Sequence, residues 1–186
     1  MAHQEEGSLS DRIRQVFMEI YDRKPLHEVT VKEICAGVGI ARTTFYNYYS
    51  DVYDLLECIE NDLIHDLEEM NGDFTTVDLH DITEGELHYY DEMLDYIWER
   101  KAWFRTLLNK DRDSQFIYKW KQAIKNCFRD KLHYEHYYFQ SEELVLEVGA
   151  SVAIGVYSYW VNTSENISRD TISQEVLLKC FRAFMQ

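Results

Sequence analysis

Residues 30–49 read TVKEICAGVGIARTTFYNYY, and this stretch decides the fold. Val31, Ile34, Cys35 and Val38 fall at the spacing of one apolar helical face, and Thr30 places a side-chain oxygen where a helix N-cap belongs. Gly39 follows, the residue type that adopts a left-handed backbone at no steric cost, and Ile40 offers an apolar contact to close the turn. Beyond the turn, Arg42, Thr43 and Thr44 lead into Phe45 and the tyrosines Tyr46, Tyr48 and Tyr49. Small hydroxyls and a guanidinium ahead of aromatic anchors are what a helix entering the DNA major groove requires. Its first residues must let the backbone come close and still meet base edges and phosphates with polar groups.

Outward from this pair of helices the pattern stays helical. Upstream, Ile13, Val16, Phe17, Ile20 and Tyr21 recur at helical spacing behind a cap at Ser8 or Ser10, and Pro25 stops that helix. Arg12 and Arg14 on it are either phosphate contacts or solvated charges. Residues 1–7 read as an acidic arm. Downstream, a fourth helix over about 51–70 carries Leu55, Leu56, Ile59, Leu63, Ile64 and Leu67 on one side and acids on the other. Asn71, Gly72 and Asp73 end it, and the polar stretch to Gly85 is the expected domain boundary.

Thr30, Ile34, the Gly39-Ile40 turn, Thr44, Phe45-Tyr46, Tyr48-Tyr49 and Asp54-Leu55-Leu56 together make residues 8–60 resemble the DNA-binding domain of the TetR family of bacterial transcriptional regulators. Two positions depart from that pattern. Ala41 stands where members often place a serine or threonine cap, a loss that typically costs about 1 kcal/mol of helix stability. Val52 stands where many carry a lysine, so one phosphate contact is missing. The resemblance implies an all-α chain of about nine helices, in which a three-helix helix-turn-helix head precedes a larger helical ligand-binding and dimerisation domain. The expected division is 1–50 for the head, 51–70 for the connecting helix and 71–186 for the regulatory domain.

The formal net charge of −15 is an obstacle to phosphate-backbone affinity, and its distribution matters more than its size. Between Ser8 and Ser50 the basic residues Arg12, Arg14, Arg23, Lys24, Lys32 and Arg42 balance the acids, whereas from Asp51 to Glu69 there are acids and no lysine or arginine. The acid lies behind the reading head. A single proline and no Gly- or Ser-rich tract argue against disorder and for long helices. Cys35, Cys58, Cys127 and Cys180 have no paired spacing and read as small core residues of a reducing, cytoplasmic environment. No basic n-region followed by an apolar h-region opens the sequence, so no signal peptide is expected. Leu144 to Val161 is the one stretch resembling a membrane span, but its glycines, alanines and Glu147 suit a buried helix at a subunit contact better.

The second half is rich in rings: Tyr89, Tyr90, Tyr96 and Trp98, then Trp103 and Phe104, then Phe116, Trp120 and Phe128. A stripe of this kind is more often core than ligand wall; as a wall, its first candidates are Trp103, Phe104, Phe116 and Trp120. His133 and His136 share a helical face beside Glu135 but lack a third ligand, so they read as a polar helix end, and no metal or cofactor is expected. The final helices, about 141–163 and 168–184, expose more apolar surface than one chain's core needs, which suits a homodimer built through them.

The resemblance assigns roles within the head. Arg42 and Thr43 approach base edges, Thr30, Thr44 and Tyr46 contact phosphates, Asn47 and Tyr48 assist, and Lys32 supplies charge. It also implies repression of a near-palindromic operator by a homodimer on double-stranded DNA, relieved by a small-molecule effector in the C-terminal domain. The alternative is a regulator or coactivator of the same shape governed by a protein partner. No nucleophile with a base, no phosphate-binding glycine loop and no acid pair in a recognisable motif points to an enzyme.

Overall fold

The computed structural model describes residues 8–71, 88–109, 115–177 and 179–180. Among them the chain is all-α, without a strand. The helices are α1 (Leu9–Arg23), α2 (Val31–Val38), α3 (Arg42–Tyr46), α4 (Val52–Met70), α5 (His88–Glu99), α6 (Lys101–Asn109), α7 (Gln115–Tyr134), α8 (Glu142–Asn162) and a final π-helical stretch, α9 (Thr171–Leu177). The acidic arm, the polar stretch from Gly72 to Gly85, and Phe181 and Phe184 of the last predicted helix lie outside the described residues. The chain forms two compact units, Met1–Leu63 and Ile64–Gln186, and the division falls within α4.

In the first unit the caps are those the sequence encodes. Ser8 begins α1 with a capping box: its hydroxyl accepts from the Asp11 N–H at 3.2 Å, and the Asp11 carboxylate accepts from the Ser8 N–H at 2.9 Å. Ser10 does not cap; its hydroxyl lies 2.7 Å from that of Tyr49. Ile13, Phe17, Tyr21, Ile34, Phe45 and Leu55 are fully buried together. Gly37 lets α1 and α2 approach, since a Cβ there would stand 2.6 Å from Val16 Cγ1.

Polar ties complete this unit. Arg12 donates to the Val38 carbonyl at 2.9 Å, engaging a C-terminal carbonyl of α2. Arg14 donates to the Tyr49 hydroxyl at 3.0 Å and pairs with Asp62 at 2.6 Å. Both arginines therefore tie the unit together, Arg14 half-buried and ion-paired, Arg12 exposed with one nitrogen on the carbonyl.

In the second unit α6 and α7 pack on α8. Phe104, Phe116 and Trp120 are buried with mutual ring separations of 5.3–5.8 Å, and Trp120 stacks on Tyr157 of α8 at 5.1 Å. Beside this cluster runs a ladder of ion pairs. Lys121, Lys125, Arg129 and His133, one helical turn apart on α7, meet Glu142, Glu143 and Glu147 of α8. Lys125 and then Arg129 hold the Glu143 carboxyl below its ordinary pKa, and Lys121 does the same for Glu147. Helix α8 is long and apolar enough to cross a bilayer by length and composition alone, and its Leu146, Ala150, Ala153, Tyr157 and Trp160 are buried within the protein.

Burial pushes the Cys127 thiol up to about 12, so it stays protonated; of the cysteines expected in the core, Cys35 is buried and Cys58, Cys127 and Cys180 are half-buried. The cysteines are free. The histidine pair has structural employment: His133 lies 3.0 Å from Glu142. His136 takes the left-handed conformation (φ 60°) that terminates α7, with the Tyr137 N–H reaching the Leu132 carbonyl at 2.9 Å. No cluster of three or more metal-binding side chains occurs among the described residues.

Candidate nucleic-acid interface

The turn between α2 and α3 is set by Gly39, whose φ of 79° places it in the left-handed region. The N–H groups of Gly39 and Ile40 both reach the Cys35 carbonyl, at 2.9 and 3.0 Å, which fixes the direction in which α3 leaves. Helix α3 starts at Ala41 without a side-chain cap. What anchors it instead is ring packing: Phe45 is fully buried, its centroid 5.8 Å from that of Tyr49, whose hydroxyl is held by Ser10 and Arg14 of α1. The apolar anchors therefore compensate for the missing hydroxyl.

With Phe45 and Tyr49 turned inward, the remaining residues of this segment face solvent. Arg42, Thr43, Asn47, Tyr46 and Tyr48 are exposed, the two tyrosines by 54% and 48%, and Thr44 is half-buried. Lys32, on the first turn of α2, is exposed as well. Lys32 and Arg42 have neither an ion pair nor a side-chain hydrogen bond among the described residues, whereas Arg14 and Lys24 are ion-paired and Arg12 donates to the Val38 carbonyl. Lys32 and Arg42 are the cations of the segment available to a phosphate or a base edge.

Thr30 is placed as expected and engaged more fully than expected. Its hydroxyl accepts from the Glu33 N–H at 3.3 Å and donates to the Glu33 carboxylate at 2.7 Å, and that carboxylate also takes the Thr30 N–H at 3.1 Å. Lys24 adds two contacts to Glu33, at 2.7 and 2.8 Å, and is the main reason the Glu33 carboxyl is held down at about 2, with the Thr30 hydroxyl second. A negative charge thus sits at the N-terminus of α2, where the helix dipole favours it.

The start of α4 is closed in the same manner. Asp51 accepts from the N–H groups of Tyr53 and Asp54 at 2.8 and 2.9 Å, and Asp54 accepts from the Ser50 N–H at 2.7 Å. Val52 is only 7% exposed and packs into the core. The valine departure is therefore a core substitution, and no lysine or arginine follows Arg42 until Arg100.

The sequence reading did not identify Tyr49 as the clamp between α1 and α3, nor the ion-pair ladder of the second unit. The ladder had a signal, the four-residue spacing of Lys121, Lys125, Arg129 and His133. Of the four rings expected to line a ligand site, the structure brings Phe104, Phe116 and Trp120 together and adds Tyr157, while Trp103 is half-exposed on α6.

No protein-family model matches the chain. It is similar to YxbF, an uncharacterized HTH-type transcriptional regulator of Bacillus subtilis (strain 168), with 20% identity over 178 residues covering 91% of this chain and 44% of the relative. The chain thus spans less than half the length of that curated relative. Among solved structures, a TetR-family regulator from Streptomyces coelicolor superposes with a TM-score of 0.65 at 20% identity, covering 95% of this chain and 82% of that one. Thermus thermophilus FadR, a TetR-family repressor solved with lauroyl-CoA, does so with a TM-score of 0.57 at 20% identity, covering 95% and 93%. Further solved TetR-family regulators share the architecture. At these identities the likeness shows the fold.

Proposed function

We infer that this chain, which has the fold of the TetR-family regulators, is a DNA-binding transcriptional regulator. Residues 1–50 form its reading head, 51–70 its connecting helix and 71–186 its regulatory and dimerisation domain. The observation that carries the reading is the outward face of α2 and α3. Lys32, Arg42, Thr43, Tyr46, Asn47 and Tyr48 are exposed on a segment whose buried rings fix it to α1. Arg42 and Thr43 address base edges. Thr44 and Tyr46 take phosphates, Asn47 and Tyr48 assist, and Lys32 contributes charge. Both donors of Thr30, its hydroxyl and its N–H, are given to the Glu33 carboxylate, so a phosphate contact from Thr30 requires the hydroxyl to leave the capping box.

The regulator acts as a homodimer. On α8, Leu144, Val148, Ser151, Gly155 and Tyr159 are exposed at helical spacing and offer a face for a twofold mate, which the sequence pattern of 168–184 would extend. Two heads would then read half-sites of a near-palindromic operator about 34–36 Å apart. Repression follows by occlusion and ends when a small molecule binds the C-terminal domain. Such an effector must bind the DNA-free conformation more tightly, since otherwise it shifts nothing. Lauroyl-CoA in the FadR structure belongs to that protein; here it supports only that a chain of this fold can hold a small-molecule ligand. The protein is placed in the cytoplasm and is not an enzyme.

The close ring contacts of Phe104, Phe116 and Trp120 favour a second reading, in which these residues are core and a protein partner governs the regulator. A labelled fragment from upstream of its own gene, titrated at several salt concentrations against a scrambled control, tests DNA binding. Specific binding with a marked salt dependence supports the reading, and equal binding to both fragments counts against it. A thermal-shift panel of small molecules, set beside a search for a specific protein partner, then separates the two modes of control.

A further inference from the structure

Helix α3 has five residues, too few to hold its own geometry, and it starts without a side-chain cap. What sets its direction must lie outside it. Phe45 anchors it by apolar burial, which is non-directional and leaves rotation about the anchor open. The directional contact is one turn further on. Tyr49 is 5% exposed, and its hydroxyl accepts from Nε of Arg14 at 3.0 Å and lies 2.7 Å from the Ser10 hydroxyl.

Arg14 is itself held. A second nitrogen of the same guanidinium, Nη2, pairs with Oδ2 of Asp62 on α4 at 2.6 Å. The guanidinium is planar and its N–H groups form a rigid fork, so the donor aimed at Tyr49 and the donor aimed at Asp62 cannot turn independently. The Asp62 side chain is 55% exposed, and an ion pair this open to water contributes little net attraction. What Asp62 supplies is direction. Ser10, Arg14, Tyr49 and Asp62 all belong to the first unit.

We propose that Arg14 and Asp62 are positioning residues of the reading head: Asp62 aims the Arg14 guanidinium at the Tyr49 hydroxyl, and so holds α3 in the orientation that presents Arg42 and Thr43 to a base edge. The proposal rests on the DNA-binding reading and adds to it two residues that act without touching DNA. A segment held beforehand needs no ordering on the DNA, whereas one released from Tyr49 must be ordered there and binds more weakly by that amount. The consequence runs against charge. Asp62 is an acid on a chain of net charge −15, and by electrostatics alone its removal should tighten binding to a polyanion. As the residue that aims Arg14, its removal weakens binding.

The experiment measures binding of the full-length protein to a duplex that the wild-type protein itself selects from a randomised pool, by fluorescence anisotropy across a salt series, at a temperature where circular dichroism shows every variant folded. Tyr49→Phe keeps the buried ring and removes the hydroxyl; it is expected to weaken binding about three- to ten-fold per head. Asp62→Ala removes an exposed acid and puts a better helix former into α4, so neither charge nor helix propensity predicts a loss, yet binding is expected to weaken about two- to five-fold per head. The double variant should bind no more weakly than Tyr49→Phe, because both changes act through one guanidinium, and the salt slope should stay that of the wild type throughout. The amide resonances of Arg42 and Thr43 should move in Asp62→Ala, a shift that a role confined to stability would not produce. Wild-type affinity for Tyr49→Phe overturns the proposal. So does tighter binding with a steeper salt slope for Asp62→Ala, which would make Arg14 a phosphate contact masked by its acid. Either result leaves the regulator reading intact, whereas failure of the wild-type protein to enrich any duplex overturns both.

Discussion

Replacing Gly37 by alanine tests whether the approach of α1 to α2 is as close as the structure shows. The new Cβ would stand 2.6 Å from Val16 Cγ1, well inside van der Waals contact, and a valine methyl cannot swing clear as the tip of a long side chain can. Overpacking of this kind costs about 1–3 kcal/mol. Alanine in place of glycine inside a helix returns about 1 kcal/mol, so the net expectation for Gly37→Ala is a loss of about 0–2 kcal/mol. Trimming the opposing side chain reverses the sign. In a Val16→Ala background the clash is gone, and Gly37→Ala should stabilise the head by about 0.5–1 kcal/mol. The chain's four tryptophans, Trp98, Trp103, Trp120 and Trp160, lie outside the first unit, so tryptophan fluorescence would follow the wrong part of the protein. Amide hydrogen exchange at the buried α1 positions Phe17 and Tyr21 reads the right part, because it reports the opening free energy locally. An equal effect of Gly37→Ala in both backgrounds would refute the reasoning.

Other consequences are as direct. Arg42→Ala should flatten the preference for a selected duplex over a scrambled one, and an unchanged ratio would count against base reading. Lys32→Ala should instead weaken both duplexes alike and reduce the salt slope by about 0.9 per head, checked in the same titrations. Glu33 has a folded pKa of about 2 against an ordinary 4.5, so the stabilisation from its cap is fully present above about pH 4.5 and is lost as pH falls through about 2. Lys24→Met should raise the Glu33 carboxyl toward its ordinary value in an NMR titration, because Lys24 is the largest cause of the depression. Leu144→Glu, at a position 63% exposed on α8, should convert a dimer to a monomer of unchanged helicity in light scattering; a monomeric wild type would remove the basis of the twofold reading.

The head was legible because its determinants are local. Thr30 and Glu33 form a capping box three residues apart, Gly39 needs a left-handed turn whatever surrounds it, and the Ile34, Cys35, Val38 spacing names the buried face of α2. Arg12 and Arg14 were ambiguous for the opposite reason. Their partners, the Val38 carbonyl, Tyr49 and Asp62, lie 26 to 48 residues away, and nothing in the sequence around an arginine says whether it will meet a carbonyl or a phosphate. Tyr49 shows the same limit. Tyr46, Tyr48 and Tyr49 stand in one short run, yet two point to solvent and one closes the core, because a five-residue helix followed by a tight turn has no period long enough to assign a face.

In the second unit, local pattern fixes the helices and leaves their use open. Phe104, Phe116 and Trp120 fall on apolar faces, which predicts burial correctly, but burial against each other and burial around a ligand produce the same periodicity. The structure shows the first arrangement, so an effector entering this cluster would have to separate rings now 5.3–5.8 Å apart. Each ring contact given up costs about 0.5–1.5 kcal/mol beyond lost burial, and the ligand must recover that from its own apolar contacts. Trp120 also stacks on Tyr157, so separating the cluster loads α8, the helix assigned to the twofold mate. An effector site inside the cluster would therefore act on α8 through this stacked pair as well as through the α7–α8 ion pairs, whereas a site outside it would leave Trp120 fluorescence undisturbed. Tryptophan emission of a Trp98→Phe, Trp103→Phe, Trp160→Phe protein, recorded during a ligand titration that releases DNA, decides between them.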